Sequence, residues 1–168
     1  NASIDEVIDL LKQDLSISTK LISISNSAFY RGVEKSTSIG QAVRRLGIDR
    51  SMEVVMSICC CSYFTTNHPA YKKLVEELWW HSLACAHATE MVEIGGKKEK
   101  DEDLFSLGLL HDIGKLVLIQ VAGDLDPARH SKMEIPLDDL EAMMNAHHRR
   151  FGARVLKKWG YSEARGKS

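Results

Sequence analysis

Gly108-Leu-Leu-His-Asp-Ile-Gly-Lys115 is the stretch that decides how this chain reads. Leu104, Leu107 and Leu110 recur at helical spacing before it, and Asp101 or Asp103 can cap the helix they define. Neighbours on a helix point about 100° apart. His111 and Asp112 can therefore face one point only at a helix end or kink, which Gly114 supplies. Leu116-Val-Leu-Ile119 is partly β-branched but continues the helical spacing, so it reads as helix.

Thirty residues upstream lies His81-Ser82. Leu74, Leu78, His81, Cys85, Ala88 and Val92 repeat at steps of four and three, the pattern of one face of a long helix. That face predicts an inward-pointing His81. Asn67-His-Pro69 is a turn before this helix, and Gly95-Gly96 with the charged run Lys97 to Asp101 is a solvated loop after it. Residues 123 to 136 read as a connection. A last helix from about Leu137 carries Leu140, Met144, His148, Phe151, Val155 and Trp159 on one face. Trp79-Trp80 reads as core with one ring partly exposed.

The N-terminal part is helical as well. Asp14 or Ser16 caps a helix through Ile17, Leu21 and Ile24 that stops at Asn26-Ser-Ala-Phe-Tyr30 and Gly32. Ser38-Ile-Gly-Gln-Ala-Val-Arg-Arg-Leu-Gly47 is a short helix with a left-handed end at Gly47. Asp49 then caps a helix through Val54, Val55 and Ile58. The helix–Gly–helix spacing imitates a DNA-reading motif, but Arg44, Arg45 and Arg50 are its only basic residues, which disfavours nucleic acid. The fold class is all-α, with two lobes divided near residue 70.

Composition agrees with one domain: 168 residues, 44% hydrophobic and 27% charged. A net charge of −1 gives no long-range pull toward nucleic acid or anionic membrane. No apolar run of the ~20 residues needed to span a bilayer is expected, nor a secretory leader. The chain starts Asn-Ala and ends on a polar segment, so a piece of a longer protein is expected. Cys59-Cys60-Cys61 and Cys85 form neither a disulfide framework nor a C-x-x-C pair. The three in a row follow an apolar run and read as small residues of a buried helix, with a redox sensor as the alternative. A reducing cytoplasm is the expected location.

His81, His111, Asp112 and His148, from three helices, form the candidate metal cluster, with His147 as the alternative to His148. Imidazole and carboxylate suit Zn, Mn or Fe better than Ca. Taken singly, each histidine is more simply a core side chain bonded to a carbonyl or carboxylate. After His148 the only acidic residue is Glu163, so a distal Asp ligand is missing. Lys115 could meet a phosphate, or be a solvated lysine near a helix end. His68, His87 and His130 have no constellation around them, and there is no phosphate loop or nucleophile elbow.

Several of these pieces, in order, resemble the HDOD family, the HD-related output domain of bacterial signalling proteins. They are Asn26-Ser-Ala, Ile39-x-x-Ala-x-x-x-Leu-Gly47, Trp80-His81-Ser82, Gly108 to Gly114, and His148-x-x-x-Gly152-Ala153 with Trp159. The resemblance covers nearly the whole chain, 1–168. It implies an HD-like helical bundle (71–168) with an additional N-terminal helical lobe (1–70). It also implies a regulatory, non-catalytic output module beside receiver or cyclic-di-GMP-related domains, binding a protein partner or small nucleotide. Many members of that family lack the metal ligands, whereas this chain keeps His81, His111, Asp112 and His148. The alternative is therefore a metal-dependent phosphohydrolase similar to the HD-GYP phosphodiesterases, whose motif also reads His-Asp-Ile-Gly-Lys. Against it, the paired histidines and Gly-Tyr-Pro expected after His148 are absent; Gly160-Tyr161-Ser162 imitates them by two residues.

Overall fold

The computed structural model describes residues 3–30, 32–95, 103–125 and 135–161. Every regular element among them is helical, as the periodicity predicts. The chain divides into two compact units, Asn1–Ser62 and Tyr63–Ser168.

The first unit holds α1 (Ile4–Leu11), α2 (Leu15–Ser25), α3 (Ile39–Leu46) and α4 (Ile48–Cys61). Helix α1 is not among the helices expected from the sequence, although Ser3-Ile-Asp-Glu6 spells its start. The Ser3 hydroxyl accepts the Glu6 N–H at 3.2 Å, and the Glu6 carboxylate accepts the Ser3 N–H at 2.7 Å. Asp14 accepts the Ile17 N–H at the start of α2 and Ser38 the Gln41 N–H at the start of α3, each cap contributing about 1 kcal/mol. Ile8, Leu11, Leu21, Ile39 and Val43 form the core. Gly47 joins α3 to α4 at φ +82° and ψ 166°, a conformation essentially confined to glycine. Helix α4 starts directly after it without a side-chain cap, so Asp49 lies in the first turn and is not the cap expected.

A polar knot closes this unit. The Asn26 side chain donates to the Ser36 carbonyl and accepts the Ser36 N–H, both at 2.8 Å. Arg45 donates to Ser25 O and Asn26 Oδ1 at 3.1 Å and also to Glu34 O. Arg44 pairs with Asp5 at 3.3 Å and Arg50 with Glu53 at 2.6 Å. The cysteine run departs from expectation: Cys60 is buried but Cys59 and Cys61 are exposed. Successive residues on a helix diverge by about 100°, so three in a row cannot share one buried face.

The second unit holds a 3-10 turn at Pro69–Tyr71, then α5 (Lys72–Gly95), α6 (Leu104–Leu110), α7 (Ile113–Leu125) and α8 (Leu137–Lys158). Asp103 caps α6 through the Ser106 N–H. Helix α7 runs to Leu125, into the segment expected as a connection; 126–134, the charged run 97–101 and 162–168 lie outside the described residues. Val75, Leu78, Ile113, Leu116, Ile119 and Leu140 centre the core. Each contributes about 1.5–3 kcal/mol by leaving water. Trp79 is half-buried against Phe64 and Trp80 is exposed. The buried face of α5 runs through Val75, Leu78, Ser82 and Ala86, and of these Leu78 alone belongs to the expected stripe. His81 is consequently exposed, contrary to the inward orientation expected.

One further expectation is corrected. Leu104–Asp124, counted as one helical stretch, is long and apolar enough by composition to cross a membrane. Here 61% of its most apolar window is buried inside the protein, and the stretch breaks at His111-Asp112. It is the interior of this unit.

Candidate metal centre

Two close backbone approaches place the histidines. A Cβ on Gly108 would lie 2.7 Å from Ala86 Cα and from Cys85 O, so the absent side chain lets α6 lie directly on α5. That contact brings His111, one turn on, over His81. Thr89 reinforces it by donating to Ala86 O and Leu104 O at 2.8 Å. A Cβ on Gly114 would strike the His148 carbonyl and come within 2.6 Å of Gly152 N. Helix α7 therefore crosses α8 backbone to backbone, and His148 is carried to the break between α6 and α7.

Asp112 sits at that break, 3% exposed. Its Oδ2 lies 3.5 Å from His81 Nε2, 3.3 Å from His111 Nε2 and 2.6 Å from Lys115 Nζ. His148 Nε2 approaches the other oxygen, Oδ1, at 3.7 Å. Asp112 is thus the meeting point of the three histidines and Lys115. His147 is exposed and outside the cluster. Ser82 turns into the interior, where its hydroxyl has no hydrogen-bond partner among the described residues.

Tautomers follow from the backbone. His111 Nδ1 lies 2.8 Å from Gly108 O, and His148 Nδ1 lies 2.8 Å from Met144 O. A carbonyl only accepts, so each Nδ1 carries the proton. In the neutral imidazoles both Nε2 lone pairs then face the cluster. His81 Nε2 is 3.2 Å from His111 Nε2. Burial pushes the Asp112 carboxyl up. Although burial is the largest single influence, the Lys115 hydrogen bond and the charges of His111, Lys115 and His148 together outweigh it and hold the group below its usual 3.8.

The donor set fits a divalent ion. His81 Nε2, His111 Nε2 and Asp112 Oδ2 form a triangle with edges of 3.2, 3.3 and 3.5 Å. A tetrahedral ion with bonds of about 2.0–2.1 Å has ligand-to-ligand edges of about 3.3–3.4 Å. Carbonyl-anchored imidazoles are also how metal-binding histidines are ordinarily oriented. Cys85 joins the group: its Sγ and one nitrogen each of His81 and His111 all lie within 4.8 Å of one another. The sequence reading placed Cys85 in a core stripe. Its spacing of four from His81, one turn along the same face, was the available signal.

Beside the cluster a groove of about 290 Å³ runs along α5, α7 and α8. Leu74, Leu78, Ile119 and Met144 form its floor, and Glu77, Glu141, His81 and Lys115 its polar edge.

With this geometry in view, comparison with known proteins is informative. The HDOD domain model matches residues 1–165, and the chain belongs to the HDOD family. An uncharacterized protein of Treponema pallidum (strain Nichols) is 22% identical over 170 residues, covering 97% of this chain and 32% of its own length. An HDOD domain protein of unknown function from Geobacter sulfurreducens superposes with a TM-score of 0.69 at 25% identity, over 97% of this chain and 55% of its own. A protein of Shewanella amazonensis, whose name assigns it provisionally to the metal-dependent phosphohydrolases, gives 0.69 at 22% identity, over 95% and 57%. The last likeness concerns the fold. The chain spans about a third of the curated relative it matches and just over half of these two solved chains.

Proposed function

We propose that this chain is a non-catalytic output module of a cytoplasmic signalling protein, which binds a protein partner and holds one divalent ion structurally. The observation that carries this reading is the occupancy of Asp112. It is the one carboxylate in contact with His81, His111 or His148 among the described residues, and Lys115 Nζ already sits on its Oδ2 at 2.6 Å. A carboxylate oxygen has two lone pairs. With one facing Lys115, Oδ2 can serve one ion. Beside Oδ1, His148 is the one further ligand in contact with Asp112 among the described residues, too few to hold the second ion of a two-metal clamp on a phosphoester. The adjoining groove supports the same reading: Glu77 and Glu141 face it, and its lysine is ion-paired, so it does not favour an anionic substrate. The receiver or cyclic-di-GMP-related domains of the resemblance belong to this proposal as its neighbours or partners.

A metal-dependent phosphohydrolase is the second reading, favoured by one observation. The His81 and His111 side chains are 52% and 40% exposed, so water reaches the face on which an ion would sit. Such an ion would lower the pKa of a bound water and polarise a phosphoryl oxygen.

One experiment separates the two. Metal content is measured by elemental mass spectrometry for the wild type and the His111→Ala, Asp112→Ala double variant. Hydrolysis of bis(p-nitrophenyl) phosphate and of a cyclic dinucleotide is then assayed with added Mn, Fe and Zn. The expected result is near one equivalent of metal, lost in the variant, with equal background hydrolysis in both. Turnover that disappears in the variant would overturn the non-catalytic reading.

A further inference from the structure

We propose that Cys85 supplies a thiolate to the ion held by His81 and His111, giving a sulfur-containing, zinc-preferring centre. This rests on the reading above that the cluster holds an ion. Cys85 Sγ lies 3.7 Å from His81 Nε2. A sulfur-to-nitrogen edge around zinc, with bonds of about 2.3 and 2.0–2.1 Å, measures about 3.5–3.6 Å. The Gly108 approach is made at Cys85 and Ala86 themselves, so the contact that delivers His111 delivers it beside this sulfur. His148 is not part of this set, because its Nε2 addresses Oδ1 of Asp112, the oxygen other than the one beside His81 and His111.

The chemistry of the set is selective. Two neutral imidazoles and one thiolate bring one negative charge to a divalent ion, and the Asp112 carboxylate beside both histidines supplies a second. Thiolate favours zinc over the harder ions that carboxylate-rich sites hold. As the sulfur–metal bond forms, the thiol proton leaves to solvent.

The test uses the full chain with Cys59→Ser and Cys61→Ser in the background, so that no exposed thiol outside the cluster contributes. Cobalt(II) is titrated into metal-free protein. The expected spectrum has intense visible d–d bands of a tetrahedral ion and a near-ultraviolet sulfur-to-cobalt charge-transfer band. Cys85→Ser should lose the second and bind zinc at least ~100-fold more weakly. Zinc-edge X-ray absorption on the same background, with Cys85 intact, should show one sulfur in the coordination shell even if Cys85→Ser misfolds. Metal binding without sulfur in the shell, or a sulfur band that survives Cys85→Ser, overturns the role of Cys85 and leaves the ion. Failure to bind either metal overturns the ion as well.

Discussion

The two units each contain a cluster of polar groups, and they are balanced in opposite ways. In the first, Arg45 and the Asn26 amide donate while the carbonyls of Ser25, Glu34 and Ser36 accept. Donors face acceptors there, although the buried Ser36 hydroxyl has no partner among the described residues. In the second, two imidazole lone pairs fixed by carbonyl bonds converge on a carboxylate whose one committed donor among the described residues is Lys115. Acceptors face acceptors there. A balanced polar cluster is a structural fastening, whereas one with excess lone pairs is arranged for a cation.

The largest effect that would break this comparison comes from the frame around the second cluster. Gly114→Ala places a Cβ against the His148 carbonyl and Gly152 N, both backbone, so neither can swing aside. The second unit should lose at least about 3 kcal/mol in urea unfolding. Near-wild-type stability would show that α7 and α8 do not cross so closely. Next comes the first cluster: Arg45→Ala leaves carbonyls unpaired and should cost about 1–3 kcal/mol while zinc binding stays unchanged. Arg45→Lys should recover little of it, since an ammonium cannot reproduce the planar fork. A matching loss of metal affinity in Arg45→Ala would erase the distinction between the clusters.

Acid titration sharpens the contrast more gently. The folded Asp112 carboxyl lies below its unfolded value, so its stabilisation is present above about pH 4 and is lost as pH falls through the lowered folded value. Metal-free Asp112→Asn should therefore lose less stability than the wild type over that descent, measured as the urea midpoint against pH. Parallel midpoints would remove Asp112 as the electrostatic centre. The smallest effect concerns the cysteine run. Burial, reinforced by Cys59 and Cys61, pushes the Cys60 thiol up to about 11. Iodoacetamide near pH 8 should label exposed Cys59 and Cys61 well before Cys60, read by peptide mass spectrometry. A raised folded value also means that stability from Cys60 is complete below pH 9 and declines as pH rises toward 11.

Much of the second cluster was legible because the His111-Asp112 pair is useful only at a helix break, and Gly114 announces one. Asp14 and Asp103 were readable as caps, each as one of two candidates, since each side chain does one local job. The buried face of α5 was not. Apolar periodicity selects Leu74, Leu78, Cys85 and Ala88, but the helix turns Ser82 and Ala86 inward beside Val75 and Leu78. Ala86 faces Gly108, where smallness rather than hydrophobicity is required. A pattern weighted by transfer energy cannot register a face chosen for how little it protrudes. The same shift of one residue exposed His81 and moved Cys85 from the core to the ligand group.

Because Gly108 meets α5 and Gly114 meets α8 through main-chain atoms, the separations between His81, His111 and His148 are set by covalent dimensions rather than by interlocking side chains. Leu116 or Ile119 could be exchanged for another aliphatic residue and the hydrophobic interior would readjust around rails that stay where they are. The cluster is consequently insulated from drift in the core beneath it. Two hydrogen atoms, standing where side chains would be, act as the gauge of the whole centre.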